Sequence, residues 1–137
     1  MISLETNIVL SALFPSDSKH DLALELLSRH QSNTLIISPP VYSELRASRH
    51  WTTVNSWLGA SAVSTEWRMP PSVWERAGEA VRGYADLRKS GTLPRRIAAD
   101  FLIAAHAEHH GAEVMTFDAA VYKAVFPAAR LIEVTPA

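Results

Sequence analysis

The chain has no cysteine. A disulfide scaffold, a thiolate zinc site and a cysteine nucleophile are therefore excluded together, and the composition fits a reducing compartment. It also lacks an excess of charge: 13 Lys+Arg against 14 Asp+Glu leave a formal charge of −1. A general electrostatic grip on nucleic acid is absent, so contact with a polyanion needs a local basic patch. No apolar run approaches the ~20 residues that span a bilayer. The opening segment MISLETNIVLSALF carries Glu5 and no basic stretch ahead of its apolar residues, unlike a secretory leader. Internal repeats and low-complexity stretches are missing too. What these absences leave is a soluble, cytoplasmic chain with no membrane partner, expected to form a single domain over residues 1–137. Its 47% hydrophobic and 20% charged residues are globular proportions. A chain of this length buries roughly two-thirds of its unfolded surface without cross-links.

Short apolar runs alternate with helical patterns. Met1–Leu4 reads as a strand, and the polar triplet Glu5-Thr6-Asn7 leads into a helix over Ile8–Phe14 that Pro15 stops. Asp21–His30 places Leu22, Leu26 and Leu27 at helical spacing, with acids early and bases late. Leu35–Ile37 reads as a buried strand, after which Pro39-Pro40 open a helix carrying Val41, Glu44, Leu45 and Ser48. A helix over Trp51–Leu58 ends at Gly59, and Ala62–Trp67 reads as a further strand. Helices are expected over Pro71–Lys89, closed by Ser90-Gly91, and over Pro94–His110, closed by Gly111. Glu113–Phe117 and Leu131–Val134 read as strands flanking a helix over Asp118–Val125. This alternation predicts an α/β fold with a mostly parallel sheet, whose ligands collect beyond the carboxyl ends of the strands. Glu5 and Asp118 both stand at such ends.

Asp100 sits in an otherwise apolar helical stretch, Ile97 to Ala105. A lone carboxylate buried there costs several kcal/mol unless a cation or strong donors meet it. Capping a helix that starts at Phe101, or pairing with an arginine, is the alternative. Glu44 lies at the margin of its helix's apolar face, where a solvated glutamate is the simpler reading. Taken together, Glu5, Glu44, Asp100 and Asp118 come from four segments and would repel one another if they converged. A divalent cation removes that conflict, and hard oxygen ligands favour Mg²⁺ or Mn²⁺.

Leu4-Glu5-Thr6-Asn7, Ser43-Glu44, Asp100-Phe101-Leu102-Ile103-Ala104-Ala105 and Met115-Thr116-Phe117-Asp118, in that order and at that spacing, resemble the motifs of PIN-domain nucleases, specifically VapC-type toxins. The resemblance covers nearly the whole chain. It implies a PIN-like three-layer α/β/α fold and a Mg²⁺- or Mn²⁺-dependent endoribonuclease that is the toxin of a toxin–antitoxin pair. Glu5, Glu44, Asp100 and Asp118 would be catalytic, with Glu5, Asp100 and Asp118 on the metal. Thr6, Asn7 and Thr116 would orient carboxylates or water, although Thr6 and Asn7 also suit a helix N-cap. RNA, a cognate antitoxin and a second copy of the chain are the implied partners. The family has Asp where this chain has Glu5, and often a further acid where it has Val121. The extra methylene at Glu5 is expected to attenuate activity, because Mg²⁺ demands near-octahedral geometry.

Arg46, Arg49, Arg82, Arg88, Lys89, Arg95 and Arg96 crowd the segments around Glu44 and before Asp100. Of these, Arg95 and Arg96 are the candidate RNA contacts, the alternative being a solvated face. His106, His109 and His110 have the spacing of a zinc pair but no third ligand, and read instead as a helix end. Trp51, Trp57, Trp67 and Trp74 are assigned to core or protein interface. Two other functions stay open: a catalytically decayed PIN-like module that binds RNA or protein, and a phosphoryl-transfer domain. The second is disfavoured by Glu5 and by the want of a lysine at a strand end.

Overall fold

A computed structural model describes residues 1–88 and 98–133. Lys89, Ser90-Gly91, Pro94, Arg95, Arg96 and Val134 lie outside the described residues. Strand β1 (Ile2–Leu4) leads into α1 (Thr6–Leu13) and α2 (His20–Arg29); β2 (Leu35–Ile37) leads into α3 (Pro39–Arg46) and α4 (Trp51–Ala60). After the short β3 (Ser64–Thr65) come α5 (Pro71–Arg88) and α6 (Ala98–His110), then β4 (Glu113–Thr116), α7 (Ala119–Val125) and β5 (Leu131–Glu133). The strands pair in the order β3-β2-β1-β4-β5, and every pair is parallel.

Side chains alternate across each strand, and that alternation sorts the helices into two layers. Ile2, Leu4, Leu35, Ile37 and Met115 share one apolar cluster with Ile8 and Val9 of α1, Leu26 of α2, Val41 and Leu45 of α3, and Val54 and Leu58 of α4. Ile36 and Val114 point the other way, into a cluster with Val73, Ala77 and Ala80 of α5, Phe101 and Ala104 of α6, and Tyr122 and Phe126 at α7. The sheet is sandwiched between α1–α4 and α5–α7, a three-layer α/β/α arrangement. Right-handed crossovers account for it: the chain moves outward from β1 through β2 to β3 on one face. It must then use the other face to place β4 on the opposite side of β1. The strand order reverses at β1, and a crevice opens there beyond the carboxyl ends of β1 and β4. Leu4 lies opposite Met115 in the register, so both strands end at the same level.

Several element boundaries depart from the sequence pattern. Helix α1 begins at Thr6, so Thr6 and Asn7 occupy its first turn and cannot cap it; Glu5 is the N-cap residue. Strand β3 is only Ser64–Thr65 and has β2 as its one neighbour at the sheet edge. Helix α3 ends at Arg46, short of Ser48, while α4 runs through Gly59 to Ala60. Asp100 lies inside the first turn of α6 and so is not the cap of a helix starting at Phe101. Gly111 does end α6, at φ +66°, a conformation that glycine adopts without strain. Among the described residues no helix is long and apolar enough to cross a membrane.

Candidate active site

Glu5 is fixed by its backbone before its side chain is considered. Its N–H continues the ladder to the Met115 carbonyl at 3.3 Å, and its own carbonyl accepts the Ile8 and Val9 N–H groups at 3.1 and 3.4 Å. The residue is therefore both the last rung of β1 and the start of α1. Its side chain turns inward: Glu5 is 7% exposed, an unusual position for a carboxylate.

Burial is tolerated because both carboxylate oxygens are met. The Thr116 hydroxyl donates to Oε2 and the Tyr122 hydroxyl donates to Oε1. Thr116, at the end of β4, in turn accepts the Asp118 N–H at 2.9 Å, which aims the threonine proton at Glu5. Tyr122 is not among the candidate residues of the sequence, because its ring fits the apolar pattern of α7. A signal was present. A helical side chain leans toward the N-terminus of its helix, so a tyrosine one turn beyond Asp118 reaches back over the carboxyl end of β4.

Glu5, Glu44 and Asp100 line one pocket of about 40 Å³ with Thr6, Asn7 and Ile103. Three of the four expected acids thus meet, delivered by β1, α3 and α6. Glu44 is an exposed residue, yet partial desolvation of its carboxyl pushes it above its ordinary range; the Thr6 hydroxyl opposes the rise and the Asp100 charge adds to it. That hydroxyl is buried without a hydrogen bond of ordinary geometry. The pocket therefore sets this buried hydroxyl beside carboxylates that disfavour one another. Asp118, the fourth acid, occupies the N-cap of α7 without a side-chain cap bond. It does not line this pocket but joins Glu5 through the Thr116 hydroxyl. Among the described residues no three His, Asp or Glu side chains are placed closely enough to enclose a metal ion by themselves. A cation in the pocket would complete its shell with water, as Mg²⁺ ordinarily does.

A cleft of about 270 Å³ shares Asn7 with the acidic pocket and is lined by Ser11, Asp17, Ser18, Lys19 and Phe117. Lys19 lies over the Phe117 ring, its ammonium 4.7 Å from the centroid, and is a cation that the clustering of arginines in the sequence conceals. Of those arginines, Arg46 stacks on Trp51 with 5.3 Å between guanidinium carbon and ring centroid. Arg95 and Arg96 fall outside the described residues.

The histidines correct an expectation. His106 is wholly buried, with Nε2 2.8 Å from the Glu66 carbonyl, and His110 Nε2 stands 2.8 Å from the Arg68 carbonyl. One turn apart on α6, they clasp the chain leaving β3 and are more than a helix end favoured by the dipole. Trp67 and Trp74 are 60% and 54% exposed, so neither is core; Trp51 and Trp57 are partly buried against it. Tyr42 packs edge-on against both Trp51 and Trp67, at 5.4 and 4.8 Å between centroids.

Comparison with known proteins agrees with the fold. A family model described as PIN domain matches residues 2–127. Similar solved structures include VapBC2 from Rickettsia felis bound to a DNA fragment from the promoter, at 25% identity and TM-score 0.67 over 98% of this chain and 100% of that one. VapBC-1 from nontypeable Haemophilus influenzae shares the fold at 18% identity and TM-score 0.68, covering 99% and 100% of the two chains. FitAcB from Neisseria gonorrhoeae does so at 21% identity and TM-score 0.65, covering 96% of each. No protein of curated function matches the chain in sequence at a significant level.

Proposed function

The chain belongs to the PIN domain family, and on that premise we propose that it is a Mg²⁺- or Mn²⁺-dependent endoribonuclease, the toxin of a toxin–antitoxin pair. The meeting of Glu5, Glu44 and Asp100 on one small pocket carries this reading. PIN domains are generally nucleases, and the similar structures are toxin–antitoxin complexes. RNA as the substrate class comes from the resemblance of the motifs.

The donor set fits a hard divalent cation: oxygen atoms only, with three carboxylates brought to one small pocket beside the Thr6 hydroxyl. Asp100, Glu5 and Asp118 would hold it, directly or through water. When bound, such a cation lowers the pKa of water and stabilises charge on a phosphodiester in flight. The remaining work falls to the chain. Glu44, its carboxyl raised above the ordinary carboxylate range by partial desolvation and by Asp100, is suited to take a proton from the attacking water. Asn7 presents an amide donor at the pocket wall and in the neighbouring cleft, where it can orient a phosphate oxygen or water. Lys19 in that cleft, with Arg95 and Arg96 ahead of α6, would draw the RNA backbone toward carboxylates that otherwise repel it.

For partners, the similar VapBC and FitAB complexes support a cognate antitoxin, and the family resemblance of the motifs adds a second copy of the chain. The exposed Trp67 and Trp74 suit a protein interface, and the cytoplasm is the compartment such a pair requires. Cleavage of single-stranded RNA in Mg²⁺ or Mn²⁺, abolished by EDTA and lowered at least a hundredfold in Asp100→Asn, is the expected result. Full activity in that variant would refute the assignment. RNA binding with no cleavage in either metal would select the decayed module instead.

A further inference from the structure

Tyr122 is 3% exposed, and its ring belongs to the apolar cluster of α5, α6 and α7 with Phe101 and Phe126. Packing alone would be served by phenylalanine. The hydroxyl adds a polar group in a buried place, where such groups require a partner, and its partner is Glu5 Oε1. Because Thr116 donates to Oε2, two hydroxyls grip the two oxygens of one carboxylate, one from the end of β4 and one from the first turns of α7. A carboxylate held at a single oxygen turns about its terminal torsion. Held at both, it has a fixed plane and depth, and each oxygen keeps a lone pair for another ligand. Glu5 lines the pocket it shares with Glu44 and Asp100, so the plane in which its carboxylate is held is set at that pocket.

We propose that Tyr122 is a positioning residue for the acidic pocket: its hydroxyl holds the Glu5 carboxylate in the orientation that a divalent cation or its water shell requires. The methylene that distinguishes glutamate from aspartate lets the carboxylate reach this phenol, so Glu5 and Tyr122 act as a coupled pair. The glutamate is then an alternative construction of the site, with its own support, rather than a misfit in one built for aspartate. This inference rests on the reading of the pocket as a cation site.

The test is a double-mutant cycle on the intact chain: wild type, Tyr122→Phe, Glu5→Asp, and both together. Mn²⁺ affinity is measured by calorimetry and thermal unfolding in EDTA. Tyr122→Phe keeps the ring and should fold. It is expected to weaken Mn²⁺ binding tenfold or more, the usual effect of losing a group that orients a metal ligand. In the Glu5→Asp background, whose shorter side chain no longer reaches the phenol, the same change should leave Mn²⁺ affinity unaltered and should not lower the unfolding temperature, since it removes a buried hydroxyl left without its partner. Wild-type affinity in Tyr122→Phe, even with a lowered unfolding temperature, would reduce Tyr122 to a packing residue and overturn the proposal. So would an equal loss of affinity in both backgrounds. Failure of the wild type itself to bind Mn²⁺ would instead overturn the cation reading, and this inference with it.

Discussion

Thr116→Val is the sharpest perturbation of the framework that holds Glu5. Valine has nearly the shape of threonine and suits a strand, so the change removes one hydroxyl from a wholly buried position and little else. Two hydrogen bonds disappear with it: the one donated to the Glu5 carboxylate and the one accepted from the Asp118 N–H. A bond to a charged group contributes about 1.5–3 kcal/mol and a neutral one about 0.5–1.5 kcal/mol, giving an expected loss of about 2–4 kcal/mol. The unfolding entropy of a 137-residue chain is about 0.3 kcal/mol/K, so each kcal/mol moves Tm by about 3–4 °C. Circular dichroism melts in EDTA should therefore show Thr116→Val unfolding roughly 7–15 °C below the wild type. Thr116→Ser keeps both hydrogen bonds and loses one methyl, about 1 kcal/mol, so it should fall by only about 3–4 °C. A valine variant as stable as the serine variant would refute the claim that this hydroxyl supports a buried carboxylate.

Other positions follow from the same geometry. The Glu44 carboxyl is raised in the folded chain, so its ionisation opposes folding and stability falls as pH rises through the range between its ordinary and its raised pKa. Glu44→Gln in EDTA should gain Tm over the wild type by an amount that grows from pH 4.5 to neutrality; a gain that does not change with pH would contradict the assignment. Burial lowers the pKa of His106, and Nδ1 has no acceptor for a second proton, so stability should be complete above about pH 6.5 and decline as pH falls below it. Chemical denaturation from pH 5 to 7 should show that slope in the wild type and a weaker one in His106→Gln; an unchanged slope would place the titrating group elsewhere. Gly111→Ala should cost about 1 kcal/mol from its φ of +66° alone, since a Cβ there meets only an Arg130 nitrogen at 3.9 Å. Gly59→Ala, in a helix with nothing within 4 Å of the new atom, should add about 0.5–1 kcal/mol, and urea melts in which Gly111→Ala is the more stable would reverse the reasoning.

The acidic residues were legible in the sequence because they stand where regular structure gives way. A three-residue apolar strand that breaks into Glu5-Thr6-Asn7 leaves the acid at the carboxyl end of the central strand, and Asp100 stands out against an alanine-rich helix. The parallel sheet followed from the alternation of strands and helices. Tyr122 and His106 were harder to read because each joins an apolar body to one polar contact far away in the chain, and periodicity registers only the body. The extent of β3 depends on a single neighbour, so the apolar pattern of Ala62–Trp67 overstates it. Trp67 and Trp74 show the same limit from the other side: the sequence leaves core and interface both open for these indoles, and only their exposure decides against the core.

Crystals soaked in Mn²⁺ and measured at a wavelength where manganese scatters anomalously address the central claim directly. An anomalous peak is predicted within coordination or one-water distance of Glu44, Asp100 and Glu5, and it should vanish in Asp100→Asn. A pocket without a peak at saturating Mn²⁺, or a peak seated only on surface acids such as Glu75 and Glu79, would contradict it.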